Sequence, residues 1–354
     1  MNPVLQEILE WARWAPSADN TQPWRFQVLG ERELILWYAP AREVGVFNLD
    51  HFAGHLAMGA LLETLAVAAS VHGLVVETRP EPGTLAFPWG IRVGLRAEAG
   101  VSPSPLVSAI PHRATQRRPM PFASLSAAQK DALGASVGKF SKILWLEGWA
   151  NKLRIASLLH RTGKVRLLIP ETFVVHRDSI AWGAQHSDDR IPSQAIGADP
   201  LLQRIMAWTM KSQARVRLLN RIGGHFLPRV EMDLLPALAC AGHFIIWSEK
   251  PLDEPASQIE AGRALQRFWL TAETLGLQLQ PEMVPPLFCR YTRADCLFTS
   301  DAWAIAEMAG LCEQFSQWVG AQTWAQTTFM GRLGQRRTVV SRALRKPLNV
   351  LLIP

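Results

Sequence analysis

The chain is poor in cysteine and in charge, and it lacks the short motifs of several enzyme classes. Its four cysteines, Cys240, Cys289, Cys296 and Cys312, all lie in the second half without C-x-x-C spacing, and are read as reduced thiols of a cytoplasmic protein. No charged-then-apolar leader follows Met1, so secretion is not expected. The longest apolar run, His55 to Val76, is broken by Glu63 and His72; it reads as a buried helix followed by a strand, not a membrane span. There is no G-x-S-x-G elbow, no Walker-type phosphate loop and no G-x-G-x-x-G, which leaves hydrolase and dinucleotide-fold readings without positive support. Only 19% of residues are charged against 48% hydrophobic, which excludes a disordered chain, and 354 residues suffice for two domains. The net charge of +7 is diffuse except from Arg332 to Lys346, so anionic ligand sites account for it as well as a nucleic-acid partner would.

What the chain does have is a stiff polar loop, Ala15-Pro16-Ser17-Ala18-Asp19-Asn20-Thr21-Gln22-Pro23-Trp24. Two prolines restrict their own φ and bias the preceding residues toward extended geometry. Ser17, Asn20 and Gln22 offer donors and acceptors in both senses, as a wall facing a planar heterocycle with mixed polar edges requires. The plainer reading is a helix-to-strand turn rich in turn formers. Before the loop, Asn2 and Pro3 read as N-cap and first residue of a helix with apolar Val4, Leu5, Ile8, Leu9 and Ala12. After it come a hairpin, Trp24 to Leu29 and Glu33 to Tyr38, a linker Ala39 to Leu49, and a long apolar helix from about Asp50 to His72, stopped by Gly73. Strands Leu74 to Thr78 and Ile91 to Leu95 flank a Pro/Gly-rich connection.

Gly100 to Pro111 marks the boundary between two halves, 1–108 and 109–354. In the second half a helix starts near Ser124 or Ser126, Ile143 to Leu146 is a strand, and Trp149 to Leu168 and Leu201 to Leu219 are helical. His243 to Trp247 is a central strand, followed by a long helix from Ser257 to Gly276. Gly59 and Gly73 have the same spacing as Gly262 and Gly276, and each second glycine precedes a Leu and a short strand. That shared order points to a duplicated α+β unit.

Arg113, Thr115 and Arg117 alternate, so an extended segment presents two guanidiniums and a hydroxyl on one side, a grip for a phosphate. A solvated basic loop is the plainer alternative. Arg336, Arg337, Arg342, Arg345 and Lys346 either complete the same anion site or form a basic tail. His51 and His55 share a helix face but lack further metal-ligating partners, so a structural or surface role is expected, and no metal. Most tryptophans, Trp37, Trp247 and Trp269 among them, lie in apolar elements and read as core.

The loop closely resembles the APSxxNTQPW segment of flavin-dependent nitroreductase-like proteins, and Arg113-Ala114-Thr115-Gln116-Arg117 resembles their RxSxR or RxTxR phosphate motif. In ordinary members the arginine motif comes first; the reversed order here resembles the single-chain, twin-domain Acg-type branch, as do Glu260 to Leu277, Arg332-Leu333-Gly334 and Arg345-Lys346-Pro347-Leu348. The resemblance implies an α+β fold of two fused nitroreductase-like halves. Each half is a mixed or antiparallel sheet packed with helices, and the two form an intramolecular pseudo-dimer, with a possible lid insertion at 285–328. It implies one FMN per chain, held by Ser17, Asn20, Gln22, Arg113, Thr115, Arg117, the backbone of Gln280, Pro281 and Glu282, and Arg345. The implied activity is hydride transfer from NAD(P)H through flavin to a nitro, quinone-like or other conjugated acceptor, with no catalytic side chain required. A non-catalytic flavin store with a covered flavin face, and a colourless scaffold that has lost the cofactor, are the alternatives. A small-molecule substrate is expected, with no nucleic-acid or membrane partner, and a monomer is possible.

Overall fold

The computed structural model describes residues 1–40, 45–81 and 89–354. The middle of the Ala39 to Leu49 linker and most of the Pro/Gly-rich connection before Ile91 lie outside the described residues. The first helix, α1 (Pro3–Ala12), is capped as its sequence dictates, with Asn2 Oδ1 accepting from Val4 N at 2.8 Å. The hairpin strands β1 (Trp24–Val28) and β2 (Glu33–Tyr38) follow, then α2 (Phe52–Ser70), β3 (Leu74–Pro80) and β4 (Trp89–Ala97).

The same order of elements recurs later in the chain. Helix α3 (Ala127–Ser136) opens on a capping box between Ser126 and Gln129, and β5 (Ser141–Leu146) follows it. A helical excursion then intervenes, including α4 (Gly148–Leu168), α5 (Pro170–Ser179), α6 (Pro200–Thr209) and α7 (Gln213–Arg221). Strand β6 (Gly242–Ser248), the long helix α8 (Pro255–Thr274) and β7 (Leu277–Pro281) complete the recurring core apart from one strand. That strand, β8 (Thr327–Gln335), comes after α9 (Val284–Arg293) and α10 (Ala302–Val319), and the chain closes on β9 (Leu352–Ile353).

The result is a mixed α+β fold with two large open sheets and, among the described residues, two short two-stranded ones. Among the described residues one large sheet has five strands in the order β9-β1-β2-β4-β3 and the other four in the order β7-β8-β6-β5. Leaving β9 aside, both are wholly antiparallel, and the second order is the first read from the other end: β1-β2-β4-β3 matches β5-β6-β8-β7. Strand β9 breaks the match by returning to the first sheet, parallel to β1, with Phe26 opposite Leu352.

Between the sheets α2 crosses α8 at a pair of glycines. A Cβ on Gly59 would lie 2.0 Å from Ile259 O, and one on Gly262 would lie 2.2 Å from Leu56 O, so hydrogen is the only side chain either site accepts. Polar rungs run alongside. His55 Nδ1 lies 2.6 Å from Gln258 Oε1, 203 residues apart, which is also the offset from Gly59 to Gly262; Gln266 donates to Thr64 Oγ1 at 2.9 Å, and Glu63 pairs with Arg263 and Arg267. His55 is therefore structural, and no group of three or more metal-ligating side chains exists among the described residues. Helix α2 is long and apolar enough to span a bilayer, but 89% of that window is buried in the core. The φ values of Gly73 (+66°) and Gly276 (+70°) end the two long helices in matching fashion.

The reading of all four cysteines as free thiols needs correction. Cys289 on α9 and Cys312 on α10 form a disulfide, with Cα atoms 5.5 Å apart, while Cys240 and Cys296 are free. A separation of 23 residues matches no motif, and only the packing of the two helices brings the thiols together.

Because both glycines meet backbone rather than flexible side chains, Gly59→Ala is expected to lower unfolding free energy by about 1–3 kcal/mol in urea titration. An unchanged midpoint would show that the helices separate without penalty.

Candidate functional site

Three of the loop's non-glycine residues adopt left-handed backbone: Asp19 (φ 50°), Asn20 (φ 59°) and Gln22 (φ 51°). Such conformations persist only where surrounding contacts enforce them. Ser17 Oγ accepts from Gln22 N at 2.9 Å, and Gln22 Nε2 donates to the carbonyls of Asn20 (3.0 Å) and Asp188 (2.7 Å). Gln22 Oε1 accepts from Lys346 N at 2.9 Å, and Asn20 Nδ2 donates to Leu344 O at 3.1 Å. The loop is thus bound to two distant segments, one before α6 and one near the C-terminus.

The loop forms one wall of a cavity of about 360 Å³. Ser17, Asn20, Arg113, Thr115, Arg117, Gln280, Pro281 and Arg345 all line it, so the two separate motifs of the sequence meet. Thr115 forms a parallel bridge to Leu279, which holds the 113–117 segment extended along β7, and the alternation of Arg113, Thr115 and Arg117 turns all three to the cavity. Gln22 and Glu282 do not line it. The Gln22 carboxamide is consumed by the three backbone groups named above, and the Glu282 side chain points into a buried ion network.

The electrostatics of this wall are mostly cationic, with Asp19 an acid lining it. Arg113, Arg342 and Arg345 line it together, and none forms an ion pair among the described residues. Burial, reinforced by Arg342, lowers the Arg113 pKa to about 9; burial also lowers that of Arg117 to about 10, though Asp19 opposes it. Arg345 falls well below its ordinary value through burial and the charges of Arg113, Arg342 and Arg13. The guanidiniums do find neutral partners. Arg113 stacks 4.5 Å over Trp269 and donates to Trp14 O, and Arg345 donates to Ala15 O at 2.9 Å. Arg113 Nε, Arg342 Nε, Asn20 Oδ1 and Gln280 Oε1 remain buried without hydrogen-bond partners. Donors and acceptors of this kind are satisfied by a ligand that carries both an anion and a polar heterocyclic edge.

The opposite wall comes from the helical excursion. Arg166, His176, Trp182, Met206, Met210 and Met232 line it, and burial beside Arg166 lowers the His176 pKa to about 3, so the imidazole is neutral. The sequence held no sign of this wall, because its residues come from irregular or amphipathic stretches without a motif. The segment 285–328, anticipated as a lid, contributes only Leu287; the rest of it packs with α4 into a separate core.

Behind Arg117 lies the ion network. Glu282 accepts from His243 Nδ1 (2.8 Å) and from Arg332 (3.0 Å), while Arg332 also donates to Arg117 O at 2.9 Å. His243 Nε2 lies 2.8 Å from Ala237 O, so both ring nitrogens face acceptors. The imidazolium is the form that satisfies both.

A model of the Nitroreductase family matches residues 2–46, covering α1, the polar loop and the hairpin. No curated protein matches the chain.

The ion network carries a pH signature. Burial alone would lower the His243 pKa, but the Glu282 charge and hydrogen bonds with Cys240 and Glu282 outweigh it, raising the value from 6.5 to about 10. Burial would raise that of Glu282, but His243 and Arg332 hold it below 4.5. The histidine contribution to stability is complete below pH 6.5 and fades as pH rises toward 10; the glutamate contribution is complete above pH 4.5 and fades as pH falls. The stability difference between the protein and its His243→Gln variant, from urea midpoints, should therefore shrink from pH 6.5 to 10. A difference independent of pH across that range would refute the charged assignment.

Proposed function

We propose that the chain is an FMN-binding oxidoreductase that passes a hydride from NAD(P)H to a nitro, quinone-like or other conjugated acceptor. The observation that carries this reading is the convergence of three guanidiniums without an ion-pair partner and a left-handed polar loop on one cavity. The partial family match supports it, since it falls on that loop. The sheets of matching strand order, crossed at Gly59 and Gly262, support reading the chain as two fused halves in a pseudo-dimer.

The residues present suit an FMN. Arg113, Arg342 and Arg345 would neutralise its phosphate, and the Thr115 hydroxyl would add a neutral donor. Asn20 Oδ1 and Gln280 Oε1, both lacking partners, would meet N–H or O–H groups of the ring or ribityl chain. The Arg332 hydrogen bond to Arg117 O fixes the backbone from which the Arg117 guanidinium reaches the cavity. Apolar side chains of the opposite wall, Ile180, Trp182 and Met206 among them, exclude water from the space beside the polar wall. A bound flavin would supply two-electron hydride chemistry, for which the protein needs no acid or base of its own. Neutral His176 and Arg166, the latter paired with Asp233 at 3.1 Å, instead set the polarity against which an acceptor lies.

The cover provided by 166–232 favours a second reading, a flavin store whose cofactor face is shielded. Stopped-flow mixing of the FMN-loaded protein with NADPH separates the two: bleaching of the flavin within seconds supports the enzyme, and its absence supports the store.

Titration should give one FMN per chain, because each motif occurs once; two bound flavins, or a protein that stays colourless with added FMN, would refute the site. Arg113→Ala removes a charge-assisted hydrogen bond from a buried phosphate position and is expected to weaken FMN binding by roughly 2–4 kcal/mol in fluorescence titration.

A further inference from the structure

The cavity's outer wall has a second face. From Pro200 to Val230 the chain has no Asp or Glu but carries Arg204, Lys211, Arg215, Arg217, Arg221 and Arg229. All but Arg215 and Arg229 are exposed, and none of the exposed four is in an ion pair among the described residues. The acids that bracket the stretch are engaged: Asp199 Oδ1 accepts from Leu201 N, and Glu231 Oε2 accepts from Asp199 N, both at 2.8 Å.

Interleaved with the cations are large apolar side chains open to solvent. Leu201 is 65% exposed and Ile222 78%, with Ile205, Trp208, Leu218 and Phe226 also exposed. Leu201, Ile205 and Trp208 recur at helical spacing on the outer side of α6, and Leu218, Ile222 and Phe226 follow at intervals of four along and beyond α7. Helix α7 has no buried residue at all. The two groups are joined by Arg215, whose guanidinium stacks 4.6 Å over Trp208 and donates to its carbonyl at 3.0 Å. Helix α6 is apolar on both sides, since Met206 on its inner side and Met210 just past its end line the cavity.

We propose that this face docks on an anionic phospholipid bilayer, α6 and α7 lying in the interface, so that a membrane-dissolved apolar ligand reaches the cavity past Met206 and Met210. Cations flanking exposed Leu, Ile, Trp and Phe complement a surface that is acidic outside and apolar within. Nucleic acid would use the cations but gain nothing from exposed aliphatic side chains. A second copy docked face to face would set like charges against each other. The proposal departs from the expectation of no membrane partner, which rested on the lack of a spanning segment. Peripheral binding needs none. Only its second part, the class of ligand, rests on the flavin reading.

Flotation of the flavin-free chain with vesicles tests the docking apart from the redox function. Vesicles of phosphatidylcholine containing about 30% phosphatidylglycerol should carry the protein to the top of the gradient, and pure phosphatidylcholine should not. At roughly one charge interaction each, replacing both Arg217→Gln and Arg221→Gln should weaken partitioning by about 20-fold. Leu218→Ser with Ile222→Ser should weaken it as well; both positions are exposed, so urea midpoints should hold. The pair Arg32→Gln and Lys139→Gln, exposed and outside this stretch, should have no more than a small effect. Equal losses from both charge pairs would overturn the proposal, assigning the binding to overall charge. No flotation, or a dimer in sedimentation that the Leu218 and Ile222 substitutions dissolve, would overturn it too.

Discussion

The two long helices α2 and α8 cross backbone to backbone at Gly59 and Gly262, and the joining of the two sheet layers depends on that contact. A helix pair this close excludes side chains from the contact, so packing there is backbone against backbone. Specificity then passes to the rungs on either side, the His55–Gln258 and Thr64–Gln266 hydrogen bonds and the Glu63 pairs with Arg263 and Arg267. Because α2 follows the loop-bearing hairpin while α8 leads directly into β7, the crossing sets the distance between the polar loop and the strand along which Arg113 to Arg117 run.

The electrostatic arrangement of that cavity opposes its own stability. Guanidiniums buried near one another, offset only by carbonyls, indole faces and distant Glu273, are unfavourable in the free chain. Their orientation is maintained by elements that have other reasons to be fixed: Trp14 in the turn after α1, Trp269 in the core of α8, and Arg332 in β8. A site assembled this way is preorganised for an anion before one arrives.

Much of this was legible in the sequence, for identifiable reasons. The capped first helix, the hairpin, both long helices and their glycine stops follow from local rules that tertiary contacts did not override. The alternation of Arg113, Thr115 and Arg117 carried their shared direction, because extended backbone has a period of two. That the Gln22 side chain turns away from the cavity is not legible locally, because a carboxamide's partners lie elsewhere; here they are at Asp188 and Lys346, far along the chain. Glu282 was treated as backbone only, and its pairing with His243 and Arg332 depends on three adjacent strands. The apolar wall was invisible for a related reason: Met206, Met210 and Met232 carry no chemistry of their own and acquire a role only from what lies opposite.

Strand β9 has a consequence for the order of assembly. It pairs with β1 across nearly the whole length of the chain, and just before it Arg345 reaches the Trp14 and Ala15 carbonyls while Leu344 receives the Asn20 amide. Contacts of such long sequence separation carry a large loop-closure entropy and form late. Until that segment docks, one edge of the first sheet and the three left-handed residues of the loop lack the contacts that hold them, so the cavity is shaped by a contact between opposite ends of the sequence rather than by either half alone.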